Sequence, residues 1–193
     1  MLCLKVNLNK KDIRDVLKFS DEMNIKQKRN GSRDKIRNDI GRNRIMNGIV
    51  GKLGEVGAAK LFGGSVDFRV WETGSRGSEQ FEPDLNNTTS KYSFHVKTCN
   101  LKYTIRKGCN VTPLRSASWT MDKSDPLINR STEYDIIILM FASTEGLVGC
   151  LGYCKAVDLR RLWRPCISRK MLHKKAVYYP DIKSKIIQRL YVK

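Results

Sequence analysis

The chain predicts an α+β fold, with a central mixed β-sheet flanked by helices and helices leading at the N-terminus. Three observations carry this reading. Apolar residues recur at helical spacing through the first third of the chain. After Gly63-Gly64 come short segments rich in β-branched and aromatic residues, separated by polar turns. An unbroken apolar run at residues 136–141 then has the length of a strand buried on both faces. At 193 residues there is room for one ordinary domain. We divide it into an N-terminal helix, residues 1–30, packed on a core of residues 31–193.

Asn9 followed by Asp12 marks a helix start, and Ile13, Val16, Leu17, Phe19 and Met23 give the apolar stripe of a helix running to about residue 28. Asn30-Gly31-Ser32 breaks the pattern, and a second helix is expected over residues 34–62, with a break near Gly48 as an alternative. Its second half carries Gly48, Gly51, Gly54 and Gly57, each costing about 1 kcal/mol relative to Ala inside a helix. Close approach of the helix backbone to a sheet, to a substrate, or to both would offset that cost. Glu55 is the one acid among those glycines.

Strands are expected over residues 66–71, 81–85 and 92–98 as a meander, with a possible extension over 101–106. Residues 107–130 read as irregular, with Pro113 and Pro126 as breakers. The run 136–141 should pair with 147–153 across the turn Thr144-Glu145-Gly146. A short helix at 156–163, a late strand at 176–179 and a basic terminal stretch at 182–190 complete the expectation.

Composition narrows the function. Lys and Arg number 37 against 19 Asp and Glu, leaving +18 on a small chain, and a polyanion is the expected partner. Residues 26–52 hold nine basic residues against two acids, and residues 160–193 hold eleven against one. No stretch approaches the roughly 18 apolar residues of a membrane helix, and the N-terminus has no apolar signal core, so an intracellular, cytoplasmic protein without a membrane partner is expected. The six cysteines form no C-x-x-C pair and lie mostly far from His95 and His173, so they read as reduced, packed thiols. Trp71, Trp119 and Trp163 read as core, unless one is exposed where it could stack on a base.

The chemistry concentrates in one stretch. Pro83-Asp84 sits at the expected end of one strand and His95-Val96-Lys97 on the next, so a hairpin brings them side by side. Residues 95 and 97 share a face, because side chains alternate along a strand. Glu55, on the preceding helix, could complete the set.

These residues resemble the PD-(D/E)xK nuclease superfamily, in which a helix glutamate precedes a strand Asp and a second strand carries an acid-x-Lys. The resemblance covers roughly residues 34–163 and implies a restriction-endonuclease-like core. Asp125-Pro126-Leu127, Asp135 before its apolar strand, Gly152-Tyr153 and the segment 174–179 are also similar to small nucleases of phages and mobile elements. The resemblance implies a metal-dependent DNA endonuclease or nickase using Mg²⁺ or Mn²⁺. Asp84 would bind the metal, Glu55 would bind it directly or through water, and the Val96 carbonyl could add an oxygen. Lys97 would orient or activate the attacking water.

The departure is His95, where the family has an acid. Three readings follow: an altered metal preference, another acid such as Glu82 serving instead, or a catalytically inactive nucleic-acid-binding module. As a catalytic residue His95 would contact metal, phosphate or water. Candidate phosphate contacts are Arg33, Arg37, Arg44, Lys52, Lys102, Arg106, Lys107, Lys174 and Lys175, which would position nucleic acid without reading its sequence. DNA is the expected partner, RNA being compatible too, with the chain acting as monomer or homodimer. A basic protein directed at an acidic host surface is the rival outside the nucleic-acid class.

Overall fold

The computed structural model describes residues 4–29, 38–68, 83–86, 90–100, 117–167 and 171–182, with side chains from 26–29 and 38–44 left out. A short strand that the sequence reading did not foresee comes first, and the two expected helices follow it. Helix α1 spans Lys10–Arg29, and its start is a reciprocal cap: Asp12 N donates to Asn9 Oδ1 at 2.9 Å and Asn9 N donates to Asp12 Oδ2 at 2.7 Å. Helix α2, Asn38–Phe62, is continuous through Gly48 and stops where Gly63 and Gly64 take φ of 79° and 95°.

The main sheet has six strands in the order β1-β7-β6-β4-β3-β2: β1 Leu4–Val6, β2 Ser65–Val66, β3 Leu85–Asn86, β4 Ser93–Asn100, β6 Asp135–Ala142 and β7 Val148–Lys155. The pair β6–β7 is antiparallel, as its turn predicts. The expected meander forms in shortened strands, β2 antiparallel to β3 and β3 antiparallel to β4, and what the sequence did not show lies beyond it. Strand β4 runs parallel to β6, from Ser93↔Asp135 to Asn100↔Ala142. A parallel pair needs a crossover between its strands, and that crossover passes through residues read as irregular. Here the reading of 107–130 is corrected: β5, Ser118–Asp122, and the short helix α3, Pro126–Asn129, lie inside it. Pro126 opens α3 at the position a helix tolerates proline, and Asp125 caps it through Leu127 N at 3.0 Å.

Strand β5 pairs with β9, Lys174–Tyr178, which pairs with β8, Arg164–Pro165, to make a second, three-stranded sheet. Between β7 and β8 lies helix α4, Ala156–Leu159, extended by a 3-10 turn over Arg160–Leu162. Helix α5, Tyr179–Ile182, follows β9. The sequence expected strands at 66–71 and 81–85, and the described parts shrink to β2 and β3, with Pro83-Asp84 just before a strand rather than at its end.

Alternation along the strands sorts two cores. Ile136, Ile138 and Met140 pack with Val96 and with Val50, Leu53 and Val56 of α2 on one face of the main sheet. Ile137, Leu139 and Phe141 pack on the other face with Trp119, Leu159 and Val177. Phe141 meets Trp119 edge-on at 5.0 Å between ring centres, and the Trp119 indole N–H donates to the Met140 carbonyl at 3.0 Å. The tryptophan reading holds for Trp119 and Trp163, both buried, while Trp71 lies outside the described residues. Cys99, Cys150, Cys154 and Cys166 form no disulfide among the described residues.

The glycines of α2 divide by what they face. A Cβ on Gly54 would come 1.9 Å from Thr98 Oγ1 of β4, and one on Gly57 would come 2.6 Å from Val148 Cγ1 of β7. These two let the helix lie against the sheet, offsetting their conformational cost through close packing. Gly48 and Gly51 meet nothing within 4 Å.

Candidate active site

Glu55 lies on α2, Asp84 just before β3 and Lys97 on β4, and the charges of Asp84 and Lys97 both act on Glu55. Strand β3 meets β4 at Leu85↔Phe94, and Asp84 lies just outside that pairing. Its backbone N–H donates to the Phe94 carbonyl at 2.9 Å, and its Oδ2 accepts from Val96 N at 2.7 Å. The carboxylate thus continues the ladder in place of a strand backbone, which fixes it at the edge of β4. Its other oxygen has no partner among the described residues.

Glu55 reaches the same edge from α2, because Gly54 holds that turn of the helix against Thr98. Burial, with the Asp84 charge adding to it, pushes the Glu55 carboxyl up to about 7 from an ordinary 4.5, against the opposing pull of Lys52 and Lys97. A divalent cation between the two carboxylates would reverse that push, since a positive charge favours the ionised form of both.

Lys97 approaches from the opposite sheet face. Its register partner is Leu139, and its ammonium lies 4.0 Å from Asp125 Oδ2 at the head of α3. Asp125 holds both ends of that contact: one oxygen caps α3, the other faces the lysine. Sequence reasoning noted Asp125-Pro126-Leu127 only as a likeness, and without α3 it had no route to this pairing.

His95 shares Lys97's face, as alternation requires, and it is 3% exposed. Burial lowers its proton affinity, with Lys97 adding to that and Asp84 and Asp135 opposing. Nε2 stands 3.4 Å from Asp135 Oδ1 and has no hydrogen-bond partner among the described residues. The Asp135 carboxylate is itself pinned by the Thr132 N–H at 2.7 Å and hydroxyl at 2.9 Å. The imidazole is therefore enclosed beside Asp135, without the open face that a phosphate or water contact needs.

Lys52 is turned inward. Its ammonium is 2.5 Å from Glu55 Oε2 and donates to the Asp67 carbonyl at 3.0 Å, over the Phe19 ring at 4.7 Å from its centre. With 12% of its side chain exposed, it serves Glu55 rather than presenting a charge to solvent. The i,i+3 spacing on a helix was the signal that could have revealed the pair. Lys174 and Lys175 lie half-buried on β9, in the second sheet, and are not brought to Glu55. The Arg44 side chain and all of Arg33, Arg37, Lys102, Arg106, Lys107 and Glu82 fall outside the described residues.

Among the described residues no group of three or more His, Cys, Asp or Glu side chains is disposed to hold a metal. A cation here would rest on the Glu55 and Asp84 carboxylates, with backbone oxygen and water, a donor set that suits Mg²⁺ or Mn²⁺ better than a softer ion. No protein-family model matches the chain, and no curated protein is similar to it. Among the described residues no helix is long and apolar enough to cross a membrane.

Proposed function

We propose that this chain is a metal-dependent DNA endonuclease whose centre is Glu55, Asp84 and Lys97. The observation that carries the reading is their convergence: residues about 30 and 40 positions apart act on one carboxyl, Asp84 raising and Lys97 lowering the proton affinity of Glu55. Glu55 and Asp84 would hold the cation, with the Val96 carbonyl as a further oxygen, and the chemistry it supplies there is polarisation of the phosphate and acidification of a bound water.

The chain's own residues do the rest. Asp84, tied to the β4 backbone through one oxygen, would offer its second to the cation without reorganising. Lys97 places a positive charge where negative charge develops on the phosphate, and Asp125 orients the ammonium. Gly48 and Gly51 put no side chain on the open strip of α2 that precedes Glu55, and the +18 charge favours a polyanion. One centre on one chain nicks one strand, and a homodimer cuts two.

A second reading rests on the Lys52–Glu55 ion pair, which neutralises a carboxylate that the chemistry needs, together with His95 in place of an acid. It makes the chain a nucleic-acid-binding module without cleavage. Supercoiled plasmid incubated with Mg²⁺ or Mn²⁺ separates the two. The nuclease reading expects nicked or linear product that Asp84→Asn and Lys97→Met both abolish. Salt-sensitive binding with no cleavage in either metal selects the second reading.

A further inference from the structure

Tyr92 and Tyr134 form an exposed aromatic pair at the entrance to β4 and β6. Their ring centres lie 6.3 Å apart at a 42° tilt. They are 37% and 46% exposed, and among the described residues they are the exposed large aromatics. Hydrogen bonds hold the backbone at each of them. Tyr92 N donates to Ser90 Oγ at 3.0 Å, Tyr134 N to Thr132 Oγ1 at 3.2 Å, and Ser93 N to the Tyr134 carbonyl at 3.0 Å. The Lys91 ammonium stands 5.3 Å from the centre of the Tyr92 ring and 5.9 Å from that of Tyr134.

We infer that this pair is a stacking platform for an unpaired DNA base, so that the substrate carries single-stranded nucleotides beside the bond that is cut. Lone exposed apolar residues are ordinary. Two fixed tyrosines side by side under a lysine, on a chain of +18, are a different object. A nucleobase stacks on a tyrosine ring more strongly than a solvated ammonium rests there, and the displaced Lys91 is then free for the adjoining phosphate. A base inside a duplex has both faces covered by its neighbours, so only an unpaired or terminal base can use the platform.

The spacing suits that role. Tyr92 precedes Val96, whose N–H holds Asp84, by four residues, or about 13 Å at the rise of a strand. That is roughly four base steps at the duplex rise, and fewer in an extended strand. The inference rests on the nuclease reading for its scissile bond, but the platform itself is testable by binding alone.

The experiment uses the full chain as Asp84→Asn, in chelator, so that binding is read without cleavage. Fluorescence anisotropy compares three probes: a labelled DNA duplex with a five-nucleotide thymidine overhang, the same duplex with an abasic overhang of equal phosphate number, and the blunt duplex. The expected result is binding of the thymidine overhang roughly tenfold or more tighter than the abasic one. Tyr92→Leu/Tyr134→Leu should bring the two within twofold, while Tyr92→Phe/Tyr134→Phe keeps the difference. Equal affinity for the thymidine and abasic overhangs, or a preference that survives in the leucine variant with unchanged melting temperature, overturns the platform. Absence of plasmid cleavage alongside a thymidine preference would remove the nuclease reading and leave the platform standing.

Discussion

Replacing Gly54 with alanine tests the contact that carries Glu55 to β4. In an exposed helix interior this exchange would stabilise by about 1 kcal/mol. Here the new methyl carbon would stand 1.9 Å from Thr98 Oγ1, 2.8 Å from Cγ2 and 2.9 Å from Cβ, all atoms of one β-branched side chain. Thr98 is stiff at χ1, and with its own β-carbon inside contact distance it has no rotamer that escapes, so the helix must back away. Overpacking of this kind costs about 1–3 kcal/mol, and displacing a helix that spans the sheet belongs at the upper end. After the propensity gain the net loss is about 2 kcal/mol, a fall of about 4–8 °C in melting temperature for a chain of this size. Thr98→Ala removes the hydroxyl and the methyl but leaves its β-carbon at 2.9 Å, so Gly54→Ala with Thr98→Ala should recover only part of the loss, with about 1 kcal/mol of coupling in the double-mutant cycle. Gly51→Ala, facing open space, should be neutral or stabilising by up to about 1 kcal/mol. Urea melts of the parent and the four variants decide it, and a Gly54→Ala protein as stable as the parent would refute the close approach of α2 to β4.

Two further perturbations follow from the same structure. The folded chain keeps the Glu55 proton up to about pH 7 whereas an unfolded carboxyl releases it near 4.5, so folding binds a proton between those values and metal-free stability falls as pH rises through that window. The advantage of Glu55→Gln over the parent should therefore grow from pH 5 to pH 8 by at most about 3 kcal/mol, read from urea melts in chelator, and a difference independent of pH would contradict the buried carboxyl. Trp119→Phe deletes the donor to the Met140 carbonyl in a fully buried site, and should cost about 2–4 kcal/mol by thermal denaturation; a loss under about 1 kcal/mol would mean the indole is not seated there.

Local signals made much of the fold legible. The Asn9–Asp12 cap, the Gly63-Gly64 stop and the apolar run before Thr144-Glu145-Gly146 each act within a few residues, and α1, α2, β6 and β7 formed where they pointed. What escaped is non-local or was masked by a breaker. Strand β1 is three residues long and exists because β7 offers an edge. Ala117, Trp119 and Met121 alternate with polar residues and are buried, yet the prolines on either side argued for irregular chain, although Pro126 opens a helix. The parallel pairing of β4 with β6 spans about 40 residues, beyond any hydrophobic period. The site divides in the same way. Order and residue type singled out Glu55, Asp84 and Lys97, and strand alternation placed His95 with Lys97. Nothing in the order of residues said that Asp135 would enclose His95, that Lys52 would turn in upon Glu55, or that an unforeseen helix would deliver Asp125.

A manganese titration bears most directly on whether Glu55 and Asp84 form one cation site with Lys97 beside it. Calorimetry on the full chain should show one Mn²⁺ bound per chain, lost or weakened at least tenfold in both Glu55→Gln and Asp84→Asn, and retained in Lys97→Met. Binding that neither carboxylate variant alters, or no binding at all with the protein folded, would contradict the site.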